Sequence, residues 1–156
     1  MVERSDPGRA GVKAGRVVGL LTAVLSVASL LSVQDSFYEG VTLLLGSFGV
    51  EPGTWVAVVF WGNALFAASA RYAIGYVVGS LVGVLYDWLD RPSLPVLVAV
   101  VFVVGVADGV LAFLDTLSVP IAGAYVLAWL CYVPAFVRLF DDEGERRPGP
   151  RRLGKS

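Results

Sequence analysis

The sequence predicts an all-α integral membrane protein, a bundle of four transmembrane helices with both termini cytoplasmic and a short interfacial or re-entrant helix at about residues 36–50. Three observations lead there. The chain is 56% hydrophobic and only 16% charged, with mean hydropathy +0.74, whereas a soluble domain carries ~25% charged residues. Four apolar stretches approach or exceed the ~20 residues that cross ~30 Å of hydrocarbon. The charges gather outside them: Arg4, Arg9, Lys13 and Arg16 precede the first stretch and Asp141 to Lys155 follow the last, while only Arg71 and Arg91 are basic between residues 17 and 137.

Taken in order, residues 1–16 form a basic cytoplasmic segment, and the first span covers about 17–34. Its apolar run, "VVGLLTAVLSVASLLSV", exceeds the ~7 to 15 residues of a secretory signal, and no small-x-small cleavage site follows, so it reads as an anchor. Residues 36–50, "SFYEGVTLLLGSFGV", are too short and too interrupted by Glu39, Gly40, Gly46 and Gly49 to span, which suits an interfacial or re-entrant helix. Thr54 can cap the next helix.

From about 55 to 89 the chain contains no Pro and no Asn-Gly or Asp-Gly turn signal, so one long tilted helix is predicted. A hairpin at Arg71, with residues 36–50 also crossing, gives the alternative of six short spans. "DRPS" at 90–93 is a turn, because Pro92 lacks an amide proton and disfavours a helical residue before it. Spans at about 94–114 and 119–140 follow, the last kinked by Pro134, and a charged, disordered tail is expected at 141–156. Basic residues crowd the N-terminal segment, the 90–93 turn and the tail, whereas the other connections carry Asp35, Glu39, Glu51 and Asp115 and no cation. The positive-inside rule then places both termini in the cytoplasm of a multi-pass cell-membrane protein and makes the number of spans even. Arg far outnumbers Lys, which suits a GC-rich prokaryotic genome.

Within "RYAIGYVVGSLVGVLYDWLD", Arg71, Gly75, Gly79, Gly83 and Asp87 recur every four residues, which on a helix makes one slowly winding stripe. Small residues let helix backbones approach in lipid, where little hydrophobic drive exists between helices, so the stripe predicts a packing face. If helices 55–89 and 94–114 fold back on each other about the 90–92 turn, Gly105 and Gly109 fall opposite Gly75 and Gly79. The same register brings Asp108 within about one turn of Arg71, near enough for a long side chain to pair with it. Gly15, Gly19 and Ala23 repeat the small spacing in the first span and suit packing within the chain. Asn63, Ser69, Ser80 and Tyr125 are candidates for lining a polar cavity.

Two roles fit an Arg71–Asp108 pair. It can fix helix register, each charge suppressing the other's cost in the bilayer. It can also mark a path for a solute or ion, with Arg71, Asp108 and Asn63 as binding residues. The chain holds no His, and Cys131 is its one cysteine. Haem, Cys/His zinc and His acid/base chemistry therefore lack their usual groups, and no catalytic residue, metal site or cofactor is expected. A membrane enzyme using Asp87, Asp90, Asp141 and Asp142 matches no motif. The leading expectation is a non-catalytic scaffold, accessory or assembly subunit that meets the bilayer and either a second copy or another membrane protein, with no nucleic acid. The rival is a transporter or channel subunit.

Overall fold

The computed structural model describes residues 6–145, with side chains through Asp141. They form six helices, α1 (Pro7–Ser32), α2 (Gln34–Ser47), α3 (Trp55–Trp88), α4 (Leu94–Thr116), α5 (Val119–Leu130) and α6 (Tyr132–Glu145), and no strand among the described residues. Four spans are long and apolar enough to cross a membrane: α1, α3, α4 and the Val119–Asp141 stretch that joins α5 to α6. Their outer faces are aliphatic and aromatic, with Val58, Leu65, Phe66 and Val103 each at least 66% exposed.

α1 starts ten residues before the expected span, so most of the basic segment is helical. The Asp6 carboxylate accepts the Gly8 amide at 3.0 Å and Pro7 occupies the first turn, a start signal hidden in "SDPG". α2 has 14 residues, none buried, and at ~21 Å is too short to cross hydrocarbon. Its Phe37 and Tyr38 rest on Phe60 of α3. α3 runs without a break through Arg71, which removes the hairpin that six spans require. Of the tail expected at 141–156, residues 141–145 continue α6 and the remainder lies outside the described residues.

Two prolines shape the other connections. α3 ends in a Schellman-type cap, with the Arg91 amide on the Tyr86 carbonyl and the Asp90 amide on that of Asp87. Asp90 (φ 53°) and Arg91 (φ 61°) take left-handed backbone angles there, Asp being one of the few side chains that adopt them readily, and Pro92 then prevents the helix from resuming. In the last span the helix divides at Cys131. The Cys131 amide still donates to the Leu127 carbonyl at 3.1 Å and its carbonyl accepts the Ala135 amide at 3.3 Å; the bond that is missing is the adjacent one. Pro134 has no amide to give the Leu130 carbonyl and its ring crowds that carbonyl, yet Cys131 itself keeps helical angles and the chain continues into α6.

α1 is the hub. It lies antiparallel along α3 and also touches α5 and α6, while α4 packs on α5. The α1–α3 seam is backbone against backbone. A Cβ built on Gly75 would stand 2.4 Å from the Gly19 Cα, one on Gly79 would stand 2.4 Å from the Gly15 Cα, and one on Gly83 would stand 2.8 Å from the Gly11 Cα. The expectation that Gly75 and Gly79 face Gly105 and Gly109 is therefore corrected. α3 and α4 scarcely touch, because three glycines of α1 match the three of α3 in register, and Gly105 and Gly109 lie against Trp129, Val126 and Ala122 of α5. Ala10, Ala14 and Val18 of α1, Val82 of α3, Leu97 and Val101 of α4, and Trp129, Tyr132 and Phe136 close the core. The Tyr132 hydroxyl donates to the Gly79 carbonyl at 2.7 Å.

Glycine-to-alanine substitutions should separate seam from surface. Gly15→Ala or Gly79→Ala forces backbones apart and should cost ~1–3 kcal/mol, read as a lower unfolding temperature in detergent. Gly62→Ala meets nothing within 4 Å and should leave stability unchanged or raise it by up to ~1 kcal/mol through helix propensity. Equal losses at all three positions would contradict the seam.

Candidate functional site

The seam determines what stands above it. Beyond Gly11, Gly15 and Gly19, the same face of α1 presents Thr22, Ser26 and Ser29, all buried. Thr22 donates to the Val18 carbonyl at 3.0 Å and Ser29 to that of Leu25 at 2.8 Å, so their hydroxyls use the helix's own backbone. On α3 the stripe beyond Gly75 continues as Arg71, Ala67 and Asn63.

Arg71 reaches across to α4, where its Nη1 donates to Oδ1 of Asp108 in an ion pair; the two side chains are 16% and 11% exposed. Oδ2 of Asp108 accepts the Trp129 indole N–H at 3.0 Å. Gly105 makes that bond possible: a Cβ there would lie 2.9 Å from the Trp129 Cβ, so only glycine lets the indole settle one turn below the carboxylate. The Arg71 guanidinium carbon stands 4.9 Å from the centroid of the Tyr125 ring, within cation–π range. The Tyr125 phenol has Ser29 and Ser26 as side-chain hydrogen-bond partners. Four spans thus converge on one charge pair, and among the described residues no buried side-chain nitrogen or oxygen lacks a partner.

Beside the pair lies a half-open cavity of about 340 Å³ between α1, α3, α4 and α5. Arg71, Asn63, Tyr125, Ser26, Ser29 and Asp115 supply its polar lining, and Ala67, Ala70 and Ala112 its small apolar walls. Its rim reaches Val33, Asp115 and Thr116, the end of the bundle that carries α2 and the 115–119 connection. Of the three binding residues named from the sequence, Arg71 and Asn63 share this cavity, and Asp108 stands behind Arg71 outside its lining. Tyr125 also lines it. Ser80 instead donates to the Tyr76 carbonyl at 2.6 Å, near the other end of α3, and Ser69 is exposed.

Sequence reasoning missed Trp129, Ser26 and Ser29. For the two serines the signal was present: Gly11, Gly15, Gly19, Thr22, Ser26 and Ser29 follow helical spacing without interruption. No cluster of three or more His, Cys, Asp and Glu able to hold a metal occurs among the described residues. Cys131 is an exposed free thiol. Compared with known proteins, the chain matches no family model, no curated protein and no solved structure.

The pair lends itself to a double-mutant cycle. Arg71→Ala and Asp108→Ala each leave one unpaired charge inside the bundle and should each cost ~3–5 kcal/mol, whereas the double variant removes both and should lose much less than the sum. Unfolding in detergent measures all three. Strict additivity would mean that the two charges do not support each other.

Proposed function

We propose that this chain is a small polytopic cell-membrane protein without catalysis of its own, acting as a scaffold, accessory or assembly subunit, with both termini cytoplasmic. The observation that supports the reading is how the charges inside the bundle are used. Arg71 is stacked on Tyr125 and paired with Asp108, whose second oxygen is taken by Trp129. Such a pair holds register and engages both of its own charges. The orientation rests on charge: Arg9, Lys13 and Arg16 begin α1 at the end where Arg91 and Arg138 also lie, and the opposite connections hold Asp35, Glu39, Glu51 and Asp115.

The cavity favours a second reading, in which the chain is a subunit that binds or passes a small polar solute. A volume of about 340 Å³ falls in the range of small-molecule sites, ~300–1,000 Å³, and Asn63 and Arg71 offer donors along its wall.

Recovery from native membranes after mild cross-linking tests the first reading. A second copy or another membrane protein is expected at stoichiometric yield, and a solitary monomer would overturn it. Flux in proteoliposomes tests the second, with Asn63→Leu as the variant, since it alters the cavity wall without touching the ion pair. The solute reading expects at least a tenfold loss of flux on a scale set by ~1.4 kcal/mol per decade; an unchanged rate removes Asn63 from the route.

A further inference from the structure

The half-open cavity beside the ion pair is charged asymmetrically, and the asymmetry bears on what can occupy it. Its two charged lining residues are Arg71, towards the inner end, and Asp115 at the rim. Arg71 is already matched by Asp108, which stands behind it outside the lining. Asp115 is not matched. Its exposed carboxylate makes no hydrogen bond or ion pair with another described residue, and neither does the Asn63 side chain on the facing wall.

Helical register sets these two free groups at one level. Asp115 follows Asp108 by seven residues on α4, and Asn63 precedes Arg71 by eight on α3, so at ~1.5 Å per residue each lies ~10 to 12 Å outward from the ion pair. Seven residues make two turns, which keeps Asp115 on the face of α4 that carries Asp108 and Ala112. No cation offsets the acid at this end. The connections there carry Asp35, Glu39, Glu51 and Asp115, and Arg71 is the sole basic residue between 17 and 90. The potential at the mouth is therefore negative, which concentrates cations and repels anions.

We propose that the cavity binds a small molecule that carries a protonated amine at the mouth and a neutral oxygen further in. An ammonium group has three donors and no acceptor, and the Asp115 carboxylate and the Asn63 amide oxygen offer it acceptors at a single level. The oxygen accepts from the outer edge of Arg71, whose five N–H donors exceed the one bond given to Asp108. With ~10 Å of rise between the two levels and a hydrogen bond of ~3 Å at each end, a link of a few atoms joins the two groups. Arg71 does not expel the amine, because its charge is cancelled by Asp108 and lies two turns deeper. The proposal rests on the solute-binding reading of this cavity and gives the solute its class. A phosphatidylethanolamine headgroup carries the same ammonium, and the experiment separates the two sources.

The full chain in detergent is titrated by calorimetry with 3-aminopropanol, 1,3-propanediol and 3-hydroxypropanoate, which share a hydroxyl end and differ at the other in being cationic, neutral or anionic. 3-Aminopropanol should bind tightest. Asp115→Asn should weaken it about fivefold, the scale of a partly exposed charge pair, and leave 1,3-propanediol unchanged. Glu51→Gln removes an exposed acid at the same end but outside the lining, and as a screened charge without contact it should change affinity less than about twofold. Unfolding temperatures verify that each variant folds. Equal affinity for 3-aminopropanol and either analogue, or an Asp115→Asn variant that binds the amine as the parent does, would overturn the ammonium site while leaving the solute reading in place. Phosphatidylethanolamine is titrated in the same way. Binding of that lipid lost in Asp115→Asn, with the free amine silent, would keep the ammonium site and make a lipid headgroup its occupant. No binding by any of the four would remove both the site and the solute reading.

Discussion

Everything distinctive in this bundle follows from the contact of bare backbone on bare backbone between α1 and α3. Helices immersed in lipid gain little by hiding apolar side chains from surroundings that are just as apolar, so their association depends on close dispersion contact. Gly11, Gly15 and Gly19 against Gly83, Gly79 and Gly75 supply that contact over about two turns. The consequence is an axial register with almost no freedom, because sliding either helix by one residue would set a side chain where a Cα now stands. The register in turn levels Arg71 with Asp108 and Tyr125, two residues on helices that α3 itself scarcely meets.

The seam also explains why one end of the pair is closed and the other open. Past Gly19 and Gly75 the facing residues remain small, with Ser26 and Ser29 on one side and Ala67 and Ala70 on the other, and a cavity opens between them. Short side chains cannot fill the gap that results. Arg71 fills part of it and its charge must then be answered, since an isolated cation at that depth costs at least a few kcal/mol. Asp108 answers it, and Trp129 holds Asp108 in place. Gly105, which reads as a seam residue, is better understood as the space that lets Trp129 do so.

Most of the architecture was legible because membranes constrain a chain so strongly. Apolar length marked the spans, the absence of turn chemistry around Arg71 marked one long α3, and Pro92 and Pro134 marked the turn and the division of the last span at Cys131. Arg71 and Asp108, two charges isolated in apolar sequence, could be matched because the 90–92 turn sets the residues on either side of it at matching depths, even though the helices that carry them scarcely touch. What the residues could not reveal directly was which helix the Gly75 stripe faces. Gly105 and Gly109 have the same spacing as Gly11, Gly15 and Gly19, and neighbours along the chain are the natural first choice. Matching three glycines with three, rather than with two, was the discriminating signal. The early start of α1 was hidden for a related reason: Arg9, Lys13 and Arg16 look like a solvated segment until the fully buried Ala10 and Ala14 on the facing side are noticed.

The neutrality of the Arg71–Asp108 pair narrows what the cavity can accept. A lone arginine in a hollow of this size would favour an anion. With Asp108 bound to it, the pair carries no net charge, and an entering anion would have to displace a carboxylate that Trp129 holds by its other oxygen. The exchange gains nothing in charge and leaves Asp108 buried and unpaired, a loss of several kcal/mol. A neutral or zwitterionic solute faces no such exchange, because it can take hydrogen bonds from Asn63 and the outer edge of Arg71 while the pair stays intact. If this hollow holds a ligand, the clamp that stabilises the bundle is also what rejects a bare anion.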